Sequence, residues 1–253
     1  MEGPNGKFYL YAPVTEAQSS NTDKFAIGVV AADSPLGPFK DAHPPGLILS
    51  QSVPLPGNDT QNIDPTVLID DDGKVYVYYG TLGALRGYQF KSDMVTPIGE
   101  VTTVSTLTGF FEAPWITKRN GTYYMLYAAN NAGADSPRTP ASHHACVAYG
   151  TASSPLGPWT FRGVMLDIVS STTSHPGAVE PGGKWYLVYH TADVDTGGTF
   201  RRSVAFDVMT FDDTQDPPRT NKVVQTKRPA APAEPTRNIA PWAKASSVNR
   251  TPV

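Results

Sequence analysis

The chain has 253 residues and a mass of 27.2 kDa, enough for one large domain or two small ones. Aromatic residues make up 10% and charged residues only 17%, a composition that folds rather than stays disordered. A formal net charge of −3 supplies no basic field for nucleic acid, no apolar run is long enough to cross a membrane as a helix, and one cysteine, Cys146, excludes an internal disulfide.

Taken in chain order, the first stretch, MEGPNGKFYLYAP, lacks the basic start and apolar centre of a secretory signal. Within it, GKFYLYAP at 6–13 opens on Gly and then alternates aromatic and aliphatic residues, which predicts a strand behind a tight turn. The phrase returns as GKVYVYYG at 73–80, GTYYMLYA at 121–128 and GKWYLVYH at 183–190. Asp72-Gly73 and Asn120-Gly121 are hairpin signals, because Gly accepts the positive φ that such turns need. A second phrase also recurs, as IGVVAADSPLGPF at 27–39 and VAYGTASSPLGPW at 147–159. Each reads as a strand closed by Ser-Pro-Leu-Gly-Pro, where Pro fixes φ and Gly turns the chain.

No segment shows helical periodicity with caps. Repeated strand units at this spacing predict an all-β protein, a β-propeller in preference to a sandwich or jelly roll. Residues 1–225 are expected to form the propeller domain. Residues 226–237, TKRPAAPAEPTR, read as a Pro/Ala-rich linker. Residues 238–253 read as the start of a carbohydrate-binding β-sandwich module. Cys146 is expected to be a small buried hydrophobe.

Aligning the units on their turn glycines brings acids into register. Asp64 stands nine residues before Gly73, and Glu112 nine before Gly121. In a propeller the first strand of each blade lines the central channel, so equivalent positions in neighbouring blades face one cavity. In the last unit the same position is Ser174, with His175 beside it. The run Asp70-Asp71-Asp72 reads as a polar hairpin tip, and His190 as the structural end of its strand. His143 and His144 read as loop residues bordering the pocket. Paired carboxylates on a sugar-sized cavity suit glycoside hydrolysis, in which one acid protonates the leaving oxygen and another activates water or attacks. Burial against Phe110, Phe111 and Trp115, with a like charge at Asp64, would raise the pKa of Glu112 and make it a proton donor.

These segments resemble family 43 glycoside hydrolases. NIDPTVLIDDDGKVYVYYG, FFEAPWITKRNGTYYMLYA and SHPGAVEPGGKWYLVYH look like the third, fourth and fifth blades, and GKFYLYAP with IGVVAADSPLGPF like the second. The resemblance implies a five-bladed β-propeller, with about four blades visible here, that cleaves β-xylosides, α-L-arabinofuranosides or arabinans with inversion. It implies Glu112 as general acid and Asp64 as the carboxylate that tunes and orients it. It implies Arg202 as the arginine that contacts the sugar, with Arg201 exchanged for it by a one-residue slip. It implies His175 as a calcium contact, direct or through water. Phe111 and Trp115 are candidates for the sugar platform. The family's general base, an aspartate of the first blade, has no counterpart in these residues; Asp23 and Asp33 are weak substitutes. A carbohydrate-binding propeller without catalysis is the alternative reading. The expected partner is an oligo- or polysaccharide, with no organic cofactor, no nucleic acid and no membrane, and the expected location is extracellular or periplasmic.

Overall fold

The computed structural model describes residues 1–21, 24–44, 46–51, 61–130, 145–169, 173–198 and 200–227. The linker beyond Lys227, the segment 238–253, and the candidates Asp23, His143 and His144 lie outside these residues. Among the described residues there is no α-helix, only a short 3-10 turn at Pro181–Gly183.

Four antiparallel sheets follow one another along the chain. The first holds β1 (Phe8–Thr15), β2 (Phe25–Ala32), β3 (Lys40–Asp41) and β4 (Leu47–Leu49). The second holds β5 (Thr66–Ile69), β6 (Val75–Tyr79), β7 (Leu85–Phe90) and β8 (Pro97–Val104). The third holds β9 (Phe110–Arg119), β10 (Thr122–Ala129), β11 (Cys146–Ala152) and β12 (Thr160–Leu166). The fourth holds β13 (Gly177–Val179), β14 (Trp185–Thr191) and β15 (Ser203–Met209), and a ribbon of β16 (Phe211–Asp212) and β17 (Arg219–Thr220) follows. The four sheets stand as blades in a propeller arrangement.

The recurring aromatic phrase supplies the second strand in three of these sheets, β6, β10 and β14. In the first sheet it forms β1, and residues 1–2 take the place beside it, through the Glu2–Phe8 bridge and a hydrogen bond from the Met1 ammonium to Tyr9 O at 2.9 Å. The turn glycines behave as their positions require: Gly73 has φ 79° and Gly121 φ 78°, with Asn120 at φ 49° before it. The two Ser-Pro-Leu-Gly-Pro turns share one conformation, each with a cis Gly-Pro bond, at Gly37-Pro38 and Gly157-Pro158.

Alternation explains the core. A middle blade is covered on both faces, so both sets of alternating side chains can be apolar. From β10, Tyr123, Met125 and Tyr127 meet Tyr78 and Leu85 of the second sheet. Tyr124 and Leu126 point the other way and meet Leu187 and Tyr189 of the fourth. Between the first two sheets, Tyr9, Ile27 and Val29 pack on Val75, Val77 and Tyr79. Cys146 is fully buried, with its thiol 3.3 Å from Ala129 O. The end sheets are covered on one face only: Leu10 is 54% exposed, and Val204, Phe206 and Val208 are 78%, 58% and 57% exposed.

The acidic hairpin tip divides. Asp71 and Asp72 are the solvent-facing groups expected there. Asp70 instead turns toward the third blade, where Lys118 Nζ lies 2.5 Å from Oδ1 and the Tyr123 hydroxyl donates to Oδ2. It joins the second and third blades at the end where the hairpin turns lie.

Candidate active site

The site forms at the other end of the blades, where β5, β9 and β13 start. Asp64 lies just before β5 and Glu112 just inside β9, opposite Ala128 of β10. The two strands are tied directly: Ala113 N donates to Asp64 Oδ2 at 3.1 Å, and Ile116 N donates to Thr66 Oγ1 at 3.2 Å. The backbone is unusual at all three strand starts. Asp64 has φ 55°, Ala113 φ 57° and His175 φ 22°, a region that side chains other than Gly seldom occupy. Such strain persists where surrounding contacts hold it, and it collects at functional sites.

The electrostatics show which groups share the space. Burial pushes the Asp64 carboxyl up to about 6, against the Ala113 N–H and the charge of Arg202, which favour its ionised form. Glu112 is also raised, first by burial and next by the like charge of Asp64. The nearby Thr173 hydroxyl and the charges of His175 and Arg202 oppose that rise. The His175 imidazole is lowered by burial, with Glu112 pulling it up and Arg202 down. Asp64, Glu112, His175 and Arg202 thus act on one another.

His175 is exposed to solvent and the two acids are partly so, yet protein surrounds all three closely enough to disfavour their charged forms. Groups that are both accessible and desolvated line a recess. Two carboxyls there, both raised above their ordinary values, hold a proton more readily than free carboxyls do and can release it to a bound group. An open groove of about 690 Å³ lies at the hairpin-turn end, lined by Arg119, Asn120, Lys184 and Trp185 among others, and its one carboxylate is Glu180.

Other candidates are placed as follows. Arg202 is the arginine whose charge reaches both acids; Arg201 bridges Gly198 through its backbone. Phe110 is buried against Tyr127, with ring centroids 5.6 Å apart. Phe111 packs on Ala113, Ala128 and Ala145, and Trp115 on the cluster between the third and fourth sheets. The Trp115 ring sits against Gly177, where a Cβ would meet it at 3.6 Å. Asp33 pairs with Lys7 at 2.5 Å, at the end of the first sheet where Gly6 turns, away from the strand starts that carry the acids.

Calcium takes six to eight oxygen donors. Among the described residues no group of three or more His, Cys, Asp or Glu side chains could hold a metal ion.

Two members of the cluster are not marked as site residues by the sequence: Thr173, and His190, which reads there as a structural strand end. Thr173 is buried and lies with Oγ1 3.2 Å from Nε2 of His190. His190 is pushed down to about 4 by burial and by the charges of Arg202 and His175. Their approach depends on the end of β14 meeting the segment before β13, where His190 N donates to Ser174 O at 3.3 Å. No spacing rule announces that contact.

The blade starts thus gather two desolvated carboxyls, an arginine and an imidazole. Residues 1–215 match the model of glycosyl hydrolases family 43, and the chain belongs to that family. It is 30% identical over 247 residues to a xylosidase/arabinosidase of Bacteroides ovatus, an alignment that covers 82% of this chain and 68% of that protein. An α-L-arabinofuranosidase from Clostridium thermocellum shares the fold with a TM-score of 0.69 at 30% identity, over 89% of this chain and 71% of that one. A β-xylosidase/α-arabinofuranosidase from a compost microbial metagenome, solved with xylotriose in a calcium-free form, matches with a TM-score of 0.64 at 28% identity, over 88% of this chain and 70% of the other.

Proposed function

We propose that this glycosidase hydrolyses β-xylosidic or α-L-arabinofuranosidic bonds of plant cell-wall polysaccharides (xylan, arabinoxylan or arabinan) by single displacement with inversion. The reading is carried by one observation: Glu112 and Asp64 come from consecutive blades, the charge of Asp64 acts on Glu112, and both carboxyls are raised above their ordinary values. Glu112 is the general acid and gives its proton to the leaving glycosidic oxygen. Asp64, tied to the strand of Glu112 through Ala113 N, keeps the acid in place, and its like charge helps hold the proton on Glu112 until substrate arrives. Arg202 holds the sugar. The partly exposed Phe111 and Trp115 wall the sugar site. Names of relatives support the sugar class, since they include a xylosidase/arabinosidase and a protein solved with xylotriose.

Substrates of this size act outside the cytoplasm, so we place the protein in the extracellular space or periplasm. The experiment is pentose release from xylo-oligosaccharides and arabinoxylan by the wild type and by Glu112→Gln, with the anomer of the first product followed by NMR. Inverted product from the wild type and its loss in the variant are expected.

One observation favours a second reading. The groups acting on Asp64 are its burial, Ala113 and Arg202, with no further carboxylate among them. An inverting enzyme needs a base on the far side of the sugar, with the two carboxyls about 6.5–9.5 Å apart. A carbohydrate-binding propeller without turnover is the alternative, and it predicts sugar binding with no product from either protein.

A further inference from the structure

We propose that Arg86 is a positioning residue for Asp64, acting through Asn62 to hold the chain that leads into that carboxylate. The inference rests on the reading of Asp64 as the group that keeps the acid in place, and it adds what keeps Asp64 itself in place.

Asp64 sits at φ 55°, and regular strand pairing starts only after it, at Thr66. A residue other than Gly returns from positive φ to the extended region unless contacts on both sides hold it. After Asp64, β5 pairs with β6, and Thr66 accepts from Ile116 N. Before it, side chains take over. Asn62 is fully buried, and both ends of its amide are engaged: Nδ2 donates to Ser50 O at 2.9 Å, and Oδ1 accepts from Nη1 of Arg86 at 2.9 Å. Ser50 is anchored in turn. Its hydroxyl lies 2.8 Å from each oxygen of Glu16, and Gln51 N donates to the same carboxylate at 2.6 Å.

Arg86 is 5% exposed and stands on β7 opposite Tyr79 of β6, on the two central strands of the second sheet. A bond from a guanidinium to an amide oxygen is charge-assisted and stronger than one between neutral groups. Asn62 is therefore held from a rigid element by the stronger kind of bond. Two bonds to backbone carbonyls complete the clamp: Gly80 N donates to Ile63 O at 2.9 Å, and Thr81 Oγ1 to Gln61 O at 3.2 Å. Ile63 O belongs to the peptide that enters Asp64, so the clamp sets where the Asp64 side chain starts. From there Oδ2 meets Ala113 N, next to Glu112. Asn62 thus joins the first sheet, through Ser50 and Glu16, to the second, through Arg86, at the end where the acids stand.

Hydrogen exchange of single amides in the intact protein, read by NMR, tests this without turnover. In Arg86→Met, which keeps a long stem and loses the donor, the Ala113 N–H should exchange about tenfold faster. Met125 and Leu126, fully buried in β10, should keep their wild-type rates. Arg86→Lys retains a donor and the charge and should restore slow exchange at Ala113. On xylotriose, kcat of Arg86→Met should fall about 10–10²-fold with KM unchanged. Arg86→Met/Asn62→Leu should be no slower than Asn62→Leu alone, because the two residues act as one unit. An Ala113 N–H that stays protected in Arg86→Met overturns the inference. Equal acceleration at Ala113, Met125 and Leu126, or additive losses of kcat, would make Arg86 a general support of the fold and overturn it as well. If Arg86→Met does not fold, the double variant, which leaves neither end of the bond unpaired, takes its place; failure of both to fold again means general support. The reading of Asp64 is judged separately, by Asp64→Asn on xylotriose: normal turnover there, or none in the wild type, would sink that reading while the exchange result stood.

Discussion

The N–H of Ala113 donates to the carboxylate of Asp64 at 3.1 Å, so the residue that follows Glu112 in its strand is held by the acid of the neighbouring blade. This bond fixes the two carboxyls relative to each other through the backbone rather than through long side chains. It also accounts for φ 57° at Ala113 and φ 55° at Asp64, a strained pair of strand starts that each blade helps the other to keep.

Asp64 should make the fold less stable as pH rises. Its carboxyl is raised from an ordinary 3.8 to about 6 by burial. Below pH 3.8 both folded and unfolded states hold the proton, and no penalty applies. Above about pH 6 the folded chain must bury the charge. Stability is therefore highest in acid and falls between these values by about 1–3 kcal/mol, after allowance for solvent in the recess. Asp64→Asn, which tolerates positive φ, should unfold at a higher temperature than wild type at pH 7.5 and at the same temperature at pH 3.5. Calorimetry at the two pH values checks this.

Asp70 should act with the opposite sign. Burial would raise it, but Lys118, Tyr123 and the Asp71 N–H hold it below the ordinary carboxyl value. Its contribution is present above that ordinary value and is lost as pH falls through the depressed one. Asp70→Asn should lower the urea midpoint at pH 7 and make little difference in strong acid. Denaturation curves for the two proteins at both pH values report it.

Arg202 and Arg201 should separate cleanly. Arg202 favours the ionised forms of both acids, so Arg202→Gln should raise the Asp64 and Glu112 midpoints and weaken pentose binding about tenfold, ~1.4 kcal/mol. Arg201→Gln should move neither. Carboxyl NMR titration and calorimetric xylotriose binding measure both effects.

Much of the architecture is legible in the amino-acid order. The four Gly-led aromatic phrases mark β1, β6, β10 and β14, because alternation is what a strand needs and a middle blade buries both faces. Counting nine residues back from Gly73 and Gly121 finds Asp64 and Glu112, since each stands near the head of the strand that leads into the hairpin. Other features depend on contacts between distant segments. The inward turn of Asp70 needs Lys118 and Tyr123 from the next blade. The side of the sheet that Trp115 takes depends on the shift in pairing between Leu126 and Ala128, which breaks simple alternation after Glu112. The Thr173–His190 contact joins two ends of the fourth blade that no repeat aligns.

The most direct measurement is kcat/KM on xylotriose for the wild type and for Glu112→Gln, with binding checked by calorimetry. We expect the variant to bind the sugar while its kcat/KM falls by about 10²–10⁴-fold. A variant that cleaves xylotriose as fast as the wild type would contradict the assignment of proton donation to Glu112.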